Sequence, residues 1–425
     1  MSNNVHIIGA GLAGCEAAWQ LAERGVKVIL TDMKPNRFTK AHKSAGFAEL
    51  VCSNSLKAER IESAAGLLKE EMYRLGSLLV RIARETRVPA GGALAVDRDM
   101  FSQAVTGRTS AHPNITVVCD EVTEIPADGY VIIATGPLTD GGLYESIGRL
   151  LGTDYLSFYD AAAPIVTKES IDMTSAFLAS RYGRGDDAYI NCPMNKGEYE
   201  AFYETLVSAE SVILHDFDVY EGCMPVEVMA KRGKDTLRFG PLKPVGLTDP
   251  KTGHRPWAAV QLRQENARGD LFNMVGFQTN LKFGEQTRVF SKIPALKNID
   301  IVRFGVMHRN SFIDSPRLLD GTYRLKKDNR IYFAGQITGV EGYMESAMSG
   351  LVAGINLANL INGQAPLALS RETMCGALTA YVSDPTVTKF QPMGANMGIL
   401  PPLAEHIRDK RERAGALAER ALGYI

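Results

Sequence analysis

Val5-His6-Ile7-Ile8-Gly9-Ala10-Gly11-Leu12-Ala13-Gly14 is the stretch on which the fold turns. Its first four residues are a short apolar run that reads as a buried strand, and the Gly9-x-Gly11-x-x-Gly14 turn follows without a spacer. From Cys15 to Arg24 the alanines, Trp19 and Leu21 fall on helical spacing, and Gly25 is placed to end that helix. Val26–Leu30 then reads as a second strand, closing at Asp32. Strand, glycine turn, helix, strand and acid stand in the order and at the distances of a dinucleotide-binding βαβ unit. Gly9 allows the tight turn, Gly11 lets backbone approach a pyrophosphate, and Gly14 lets helix and strand pack closely. Ala10, Leu12 and Ala13 complete the loop, and the helix N-terminus offers about half a positive charge to the phosphates. Asp32 stands where a carboxylate would receive ribose hydroxyls.

The choice between FAD and NAD rests on segments further along. Tyr130-Val131-Ile132-Ile133-Ala134-Thr135-Gly136 reads as a buried strand ending in an Ala-Thr-Gly turn common in two-dinucleotide-type flavoproteins. Arg330–Gln336 is a strand running into Gly335, followed by a turn through Gly339 and Gly342 and a helix with Ala347, Met348, Leu351, Val352, Ile355, Leu357 and Leu360 as its apolar positions. A second helix N-terminus aimed at a flavin fits that pattern. Gln336 occupies a position where such flavoproteins usually carry Asp. With a single GxGxxG there is no second nicotinamide domain, so NAD(P)H would visit the flavin transiently. The fold expected is α/β: an FAD-binding Rossmann-like, glutathione-reductase-type domain with an inserted α+β domain. Residues 1–160 and 300–425 would form the discontinuous FAD-binding domain and 161–299 the insertion, a region punctuated by Pro164, Pro193, Pro225, Pro241, Pro244, Pro250 and Pro256.

The 425 residues, 45% hydrophobic and 22% charged, have ordinary globular composition, which excludes disordered and fibrous classes. Six cysteines without a CxxC pair or a Cys/His cluster argue against a disulfide scaffold and a structural metal, and point to a reducing cytoplasm. No run is long enough to span a membrane. Leu12-Ala13-Gly14-Cys15 looks like a lipoprotein cleavage box, but Met1-Ser2-Asn3-Asn4 carries no Lys or Arg, so an unprocessed, soluble chain is expected. The net charge of −1 hides an asymmetry: residues 120–224 hold 5 basic and 19 acidic side chains, residues 231–330 hold 20 and 9. Such a segment could be a basic face for RNA or only solvated surface. Arg408–Arg420 reads as a solvated terminal helix.

Among the cysteines, Cys15, Cys119 and Cys375 read as small buried hydrophobes, and Cys192 is ambiguous. Cys52, in Val51-Cys52-Ser53-Asn54-Ser55, has a polar, electropositive setting, and Cys223 lies in a Gly/Pro-bracketed loop; either suits a reactive thiol. His308-Arg309-Asn310 follows the apolar run Ile301–Val306 and combines stacking, charge and amide chemistry, or is simply a hydrogen-bonded loop end. Gly91-Gly92 suggests a close backbone approach. Phe277-Gln278-Thr279-Asn280-Leu281-Lys282-Phe283 reads equally as an amphipathic strand or a platform for unpaired bases.

Taken together, GAGLAGCEAAW from Gly9, FAELVCSNSLK from Phe47, PAGGALAVDRDMFS from Pro89, EGCMPVEVMA from Glu221, LRFGPLKPVGL from Leu237, VGFQTNLKFGEQ from Val275, GVMHRNSFIDSPRLL from Gly305 and AGQITGVEGYMESAMSGLVAG from Ala334 resemble the folate- and FAD-dependent tRNA (uracil-5-)-methyltransferase family, TrmFO, along essentially the whole chain. In that family Gln336 is expected, and Asp32 stands where Glu is commoner. The resemblance implies transfer of a one-carbon unit from 5,10-methylenetetrahydrofolate to carbon 5 of the T-loop uridine of tRNA, with FAD as cofactor and NAD(P)H as reductant. It implies that Cys52 and Cys223 are the two functional thiols, Cys223 adding to carbon 6 of the base and Cys52 serving as acid/base, with the roles open to exchange. It places His308 against the pterin, with Arg309 and Asn310 nearby. The related larger family acting on wobble uridine normally carries an extra C-terminal helical domain. Ribosomal RNA as substrate, and a flavin oxidoreductase that does not methylate, remain alternatives.

Overall fold

Val5 and Ile7 have no exposed surface because parallel strands flank Val5–Ile8 on both sides. The computed structural model describes residues 4–39, 41–152, 155–183, 187–212 and 224–425, with Phe158 and His308 given by their backbone alone. The sheet around Val5–Ile8 has five strands in the order Ile331–Phe333, Tyr130–Ile133, Val5–Ile8, Val28–Asp32, Ile115–Cys119, parallel at every pairing. Such a sheet needs helices on its faces. Leu12–Glu23 and Tyr343–Ile361, from opposite ends of the chain, pack against each other there. Their contact is built of small residues: a methyl on Gly350 would overlap the Ala13 carbonyl oxygen, and one on Gly354 would lie 2.8 Å from that of Ala17.

A second, separate core belongs to a six-stranded sheet in the order Phe177–Leu178, Tyr189–Met194, Ala258–Gln264, Leu271–Met274, Ile165–Thr167, Ile301–Arg303, antiparallel throughout. This middle region is more regular than its prolines suggest. Between the two sheets, Leu156–Ala161 pairs antiparallel with Met307–Phe312, setting Asp160 opposite His308. A small sheet of Ser55–Ala58, Ala93–Val96 and Arg87–Val88 lies beside them. The architecture is the α/β Rossmann-like fold with an α+β insertion that the sequence predicts.

Several local expectations are corrected. His308-Arg309-Asn310 is strand, not loop end, because Met307–Phe312 finds a partner 150 residues away along its whole length. Phe277–Phe283 is not a strand: a turn precedes it, Phe277 is buried against Phe202 and Phe290, and Phe283 opens a helix. Gly91-Gly92 is a turn between short strands; a methyl on Gly92 would meet nothing, while its carbonyl accepts from the Glu59 N–H at 3.1 Å, a backbone approach to the neighbouring strand Ser55–Ala58. Cys119 is exposed, since it ends an edge strand; Cys15, Cys192 and Cys375 are buried. The terminal helix Lys410–Leu422 docks through Leu417, Ala418 and Ala421. The acidic and basic segments partly neutralise each other through Lys234–Glu200, Lys282–Glu210 and Lys297–Asp172.

The helix contact gives a stability prediction. Gly350→Ala gains about 1 kcal/mol of helix propensity but meets fixed backbone, and overpacking of this kind costs about 1–3 kcal/mol. Thermal unfolding should show a net loss. Gly415→Ala, inside the terminal helix with open space around it, should instead gain up to about 1 kcal/mol.

Candidate active site

A cleft of about 1370 Å³ opens at the carboxyl ends of the parallel strands, where ligands of open α/β sheets bind. Gly9, Gly11, Leu12, Ala13, Asp32, Gly335, Gln336, Asn310 and Cys52 all line it. Gly9 holds φ +99°, with the Ala134 carbonyl against its α-carbon, and a methyl on Gly14 would overlap the Gly9 carbonyl. Gly11 precedes the helix Leu12–Glu23 with no side-chain cap, and a methyl there would meet nothing but the cleft. The first-turn N–H groups of that helix are therefore left for an anion. Asp32 organises the loop, its Oδ2 accepting from the Ala10 N–H at 2.7 Å and its Oδ1 from the Lys34 N–H at 2.9 Å. Gly342, at φ +127°, caps the helix Tyr343–Ile361 and lines a second cavity. These residues fit a dinucleotide: a glycine cradle, an uncapped helix end and a carboxylate.

The second cavity, about 840 Å³, adjoins the first and shares Cys52, Asp160, Gln336 and Tyr343 with it. Cys52 thus stands where both spaces meet. Its N–H donates to the Tyr343 hydroxyl oxygen at 2.7 Å, as does that of Ser53 at 3.0 Å. Behind it, Arg263 Nε donates to Asn54 Oδ1 at 3.0 Å and Nη2 to Ser53 Oγ at 2.7 Å. Arg98 pairs with Glu265 and donates to the Leu50 carbonyl. Asn54 Nδ2 donates to the carbonyls of Val96, Gln264 and Glu265. The thiol loop is thereby tied to the end of strand Ala258–Gln264 in the antiparallel sheet.

The electropositive setting expected for Cys52 does not prevail. Burial and then the Asp160 carboxylate push its thiol up to about 12, outweighing Arg98 and Arg303, so it is protonated at neutral pH. Its Sγ–H faces the Ala161 carbonyl at 3.8 Å. Glu341, in the second cavity, is raised to about 8 by burial and by Asp160, although Gln336 Nε2 donates to it at 2.6 Å. Asp160 Oδ1 and Asn310 Oδ1 are buried with no hydrogen-bond partner among the described residues. Arg309 is exposed and does not line the cleft; His308 is placed by its backbone beside Asp160. Cys223 lies outside the described residues. No group of three or more metal-ligating side chains occurs among the described residues, and no helix among them is long and apolar enough to cross a membrane.

The sequence profile described as "Glucose inhibited division protein A" matches residues 4–365. A methylenetetrahydrofolate--tRNA-(uracil-5-)-methyltransferase TrmFO of Acetivibrio thermocellus is 60% identical over 428 residues, covering 100% of this chain and 98% of the relative. The chain belongs to the TrmFO family. A TrmFO of Moorella thermoacetica is 57% identical, covering 99% of this chain and 97% of that one. Among solved structures, GidA of Aquifex aeolicus superposes with a TM-score of 0.72 at 17% identity, over 99% of this chain and 72% of its own, a likeness of fold.

Within this member of the TrmFO family, reasoning from sequence missed Asp160, Glu341, Tyr343 and the Arg98–Glu265–Arg263 cluster. Glu341 and Tyr343 lie in the quoted AGQITGVEGYMESAM segment, where an acid and a phenol beside the capping Gly342 were the available signal. Asp160 had none. Two predictions follow from its charge. In Asp160→Asn the Cys52 thiol should titrate lower, so peptide-resolved alkylation of Cys52 at a fixed pH near 8 should be faster than in the parent. Glu341 binds its proton more tightly folded than unfolded, so its contribution to stability is full below about 4.5 and declines as pH rises toward about 8. Glu341→Gln should flatten the fall in stability over that window, as denaturant titrations at several pH values would show.

Proposed function

We propose that this chain methylates carbon 5 of the T-loop uridine of tRNA, taking the one-carbon unit from 5,10-methylenetetrahydrofolate with FAD as cofactor and NAD(P)H as reductant, in the cytoplasm where tRNA is processed. The observation that carries the reading is Cys52 at the junction of two adjoining cavities, one with a dinucleotide cradle, in a chain of this family. Atoms balance when uridine, methylenetetrahydrofolate, NAD(P)H and a proton yield 5-methyluridine, tetrahydrofolate and NAD(P)+.

In this reading residues 1–160 and 300–425 bind the cofactor, except strand Ile301–Arg303, which joins the sheet of the insertion 161–299 that abuts the thiol loop. Gly9, Ala10, Gly11, Leu12, Ala13 and Gly14 would hold the pyrophosphate on backbone N–H groups, and Asp32 the ribose hydroxyls. Gly335, Gln336 and Gly342 would face the ring. FAD, when bound, supplies the two-electron chemistry that a methylene needs to become a methyl. Uracil carbon 5 is a poor nucleophile until a thiolate adds at carbon 6, which we assign to Cys223. That addition forms a sulfur–carbon bond and moves an electron pair toward carbon 5. Carbon 5 then bonds the one-carbon unit as its bond to a folate nitrogen breaks, and Cys52, protonated at rest, is suited to give its proton to that departing nitrogen. The thiolate so formed can take the carbon 5 proton, whose electron pair then expels the Cys223 sulfur. The Tyr343 hydroxyl fixes the Cys52 backbone during this exchange. The Asn310 amide offers an unpartnered oxygen to a folate N–H, with His308 two residues before it on the same strand; Arg309, exposed and outside the cleft lining, is left without a role in this step. The base must leave its stack to reach the cleft.

Mass analysis of unmodified tRNA after incubation with the protein, FAD, NAD(P)H and methylenetetrahydrofolate, with a ribosomal RNA fragment in parallel, tests the reading. One methyl gained on the T-loop uridine is expected; methylation of the ribosomal fragment alone would change the target, and NAD(P)H oxidation with no RNA product would leave a flavin oxidoreductase. Cys223→Ala and Cys52→Ala should each lower methyl transfer by at least about 100-fold, the scale of general acid–base catalysis, while retaining bound FAD.

A further inference from the structure

Phe283 is 57% exposed at the start of the helix Phe283–Phe290, although Phe277, Thr279, Asn280 and Leu281 of the 277–283 segment are buried. Its ring lies on that of Phe304, with centroids 4.7 Å apart and planes 27° from parallel. Phe304 is itself half-buried against the core of the antiparallel sheet, so the core holds Phe304 and Phe304 in turn holds the exposed ring of Phe283.

The position of the pair relative to the chemistry gives it meaning. Phe304 is followed by Gly305, where a methyl would come within 2.7 Å of the Ala162 carbonyl oxygen, and the Ala162 N–H donates to Val306 at 2.8 Å. The next carbonyl, that of Ala161, faces the Cys52 thiol. The pair therefore stands beside the strands Leu156–Ala161 and Met307–Phe312 that carry Asp160 and Asn310 into the cleft. Lys282, before Phe283, is paired with Glu210, and Arg303, before Phe304, is half-buried; Arg309 further along is exposed.

We propose that the Phe283–Phe304 pair is a stacking platform for an unpaired base of the RNA substrate, seated beside the base that enters the cleft. The inference rests on the RNA-methylating reading above. Every base presents a π-face, and unpaired loop bases are recognised by aromatic stacking with cations set around the backbone. Relatives of this chain act on tRNA, whose loops supply unpaired bases with the flat faces that the exposed ring of Phe283 can receive.

The test is the affinity of the full-length, FAD-loaded protein for unmodified tRNA, by filter binding or anisotropy at several salt concentrations. One stacked base is worth about 5- to 150-fold in affinity. Phe283→Ala should weaken binding on that scale, with FAD content equal to the parent as the control for folding. The slope of log Kd against log salt should stay the same, since no phosphate contact is removed. Phe283→Tyr should restore most of the affinity. An unchanged Kd in Phe283→Ala, or a loss that Tyr fails to restore, overturns the platform while leaving the methylation reading intact. A change in sedimentation with no change in RNA affinity would assign the surface to a second copy of the chain and overturn it as well. If the parent protein methylates neither tRNA nor ribosomal RNA and binds neither, the functional reading and the platform fall together.

Discussion

The close approach of two helices from opposite ends of the chain, Leu12–Glu23 and Tyr343–Ile361, is the constraint on which the site depends. Gly350 and Gly354 set against Ala13 and Ala17 bring the axes near enough that both helix N-termini open on one cleft. Because the first helix begins directly after strand Val5–Ile8 and the second shortly after Ile331–Phe333, this contact also ties the central strand of the parallel sheet to one of its edges. A larger side chain at the crossing would separate Gly11 from Gly342 and Tyr343. It would also loosen Cys52, whose backbone hangs on the Tyr343 hydroxyl. A packing requirement of four small residues thus reaches the reactive thiol through one phenol.

The thiol loop is held from its other side by charge. Placing Arg98, Arg263 and Glu265 away from water costs several kcal/mol per ion before any pairing is counted, and Arg98 Nη2 and Glu265 Oε2 have no partner among the described residues. A hydrophobic cluster of the same volume would hold the loop as firmly at lower cost. What the ionic cluster adds is direction: a guanidinium whose Nε and Nη2 bond Asn54 and Ser53 fixes the orientation of the loop as well as its position. Two arginines near a thiol would ordinarily lower its pKa. Here Arg98, engaged by Glu265 and the Leu50 carbonyl, and Arg303 do pull it down, but burial and Asp160 outweigh them. The outcome is an acid rather than a ready nucleophile.

The parts legible in the sequence were those whose signal is local. The βαβ unit announces itself within 30 residues, and the second glycine turn and its helix are equally contiguous. Cys52 was legible as a candidate, but its electrostatics were not: neighbours in sequence suggested a positive setting, whereas Asp160, more than 100 residues away, reverses it. The same reason hid Asp160 and Glu341 themselves, because the cavity that unites them is assembled from four separate segments. In 277–283 the alternation of apolar and polar residues is real, yet a turn at 275–276 and a helix start at 283 break the strand period. One phenylalanine of that segment is consequently core and the other surface.

Charge bears on how such a protein can select its partner. A surplus of eleven positive charges over residues 231–330 would be a strong field if it were free, but Lys234, Lys282 and Lys297 spend theirs on Glu200, Glu210 and Asp172. Further members of the segment close on neighbours, as Arg238 does on Asp235, Arg288 on Glu285 and Arg324 on Asp320. What remains is a set of separate cations whose influence is screened beyond about 8 Å at physiological salt. Long-range attraction of any polyanion is then modest, and discrimination has to come from short-range contacts: shape, stacking and the hydrogen bonds offered inside the cleft. A site so arranged favours RNA whose target base is already in a loop, where unstacking costs least, over duplex of equal charge.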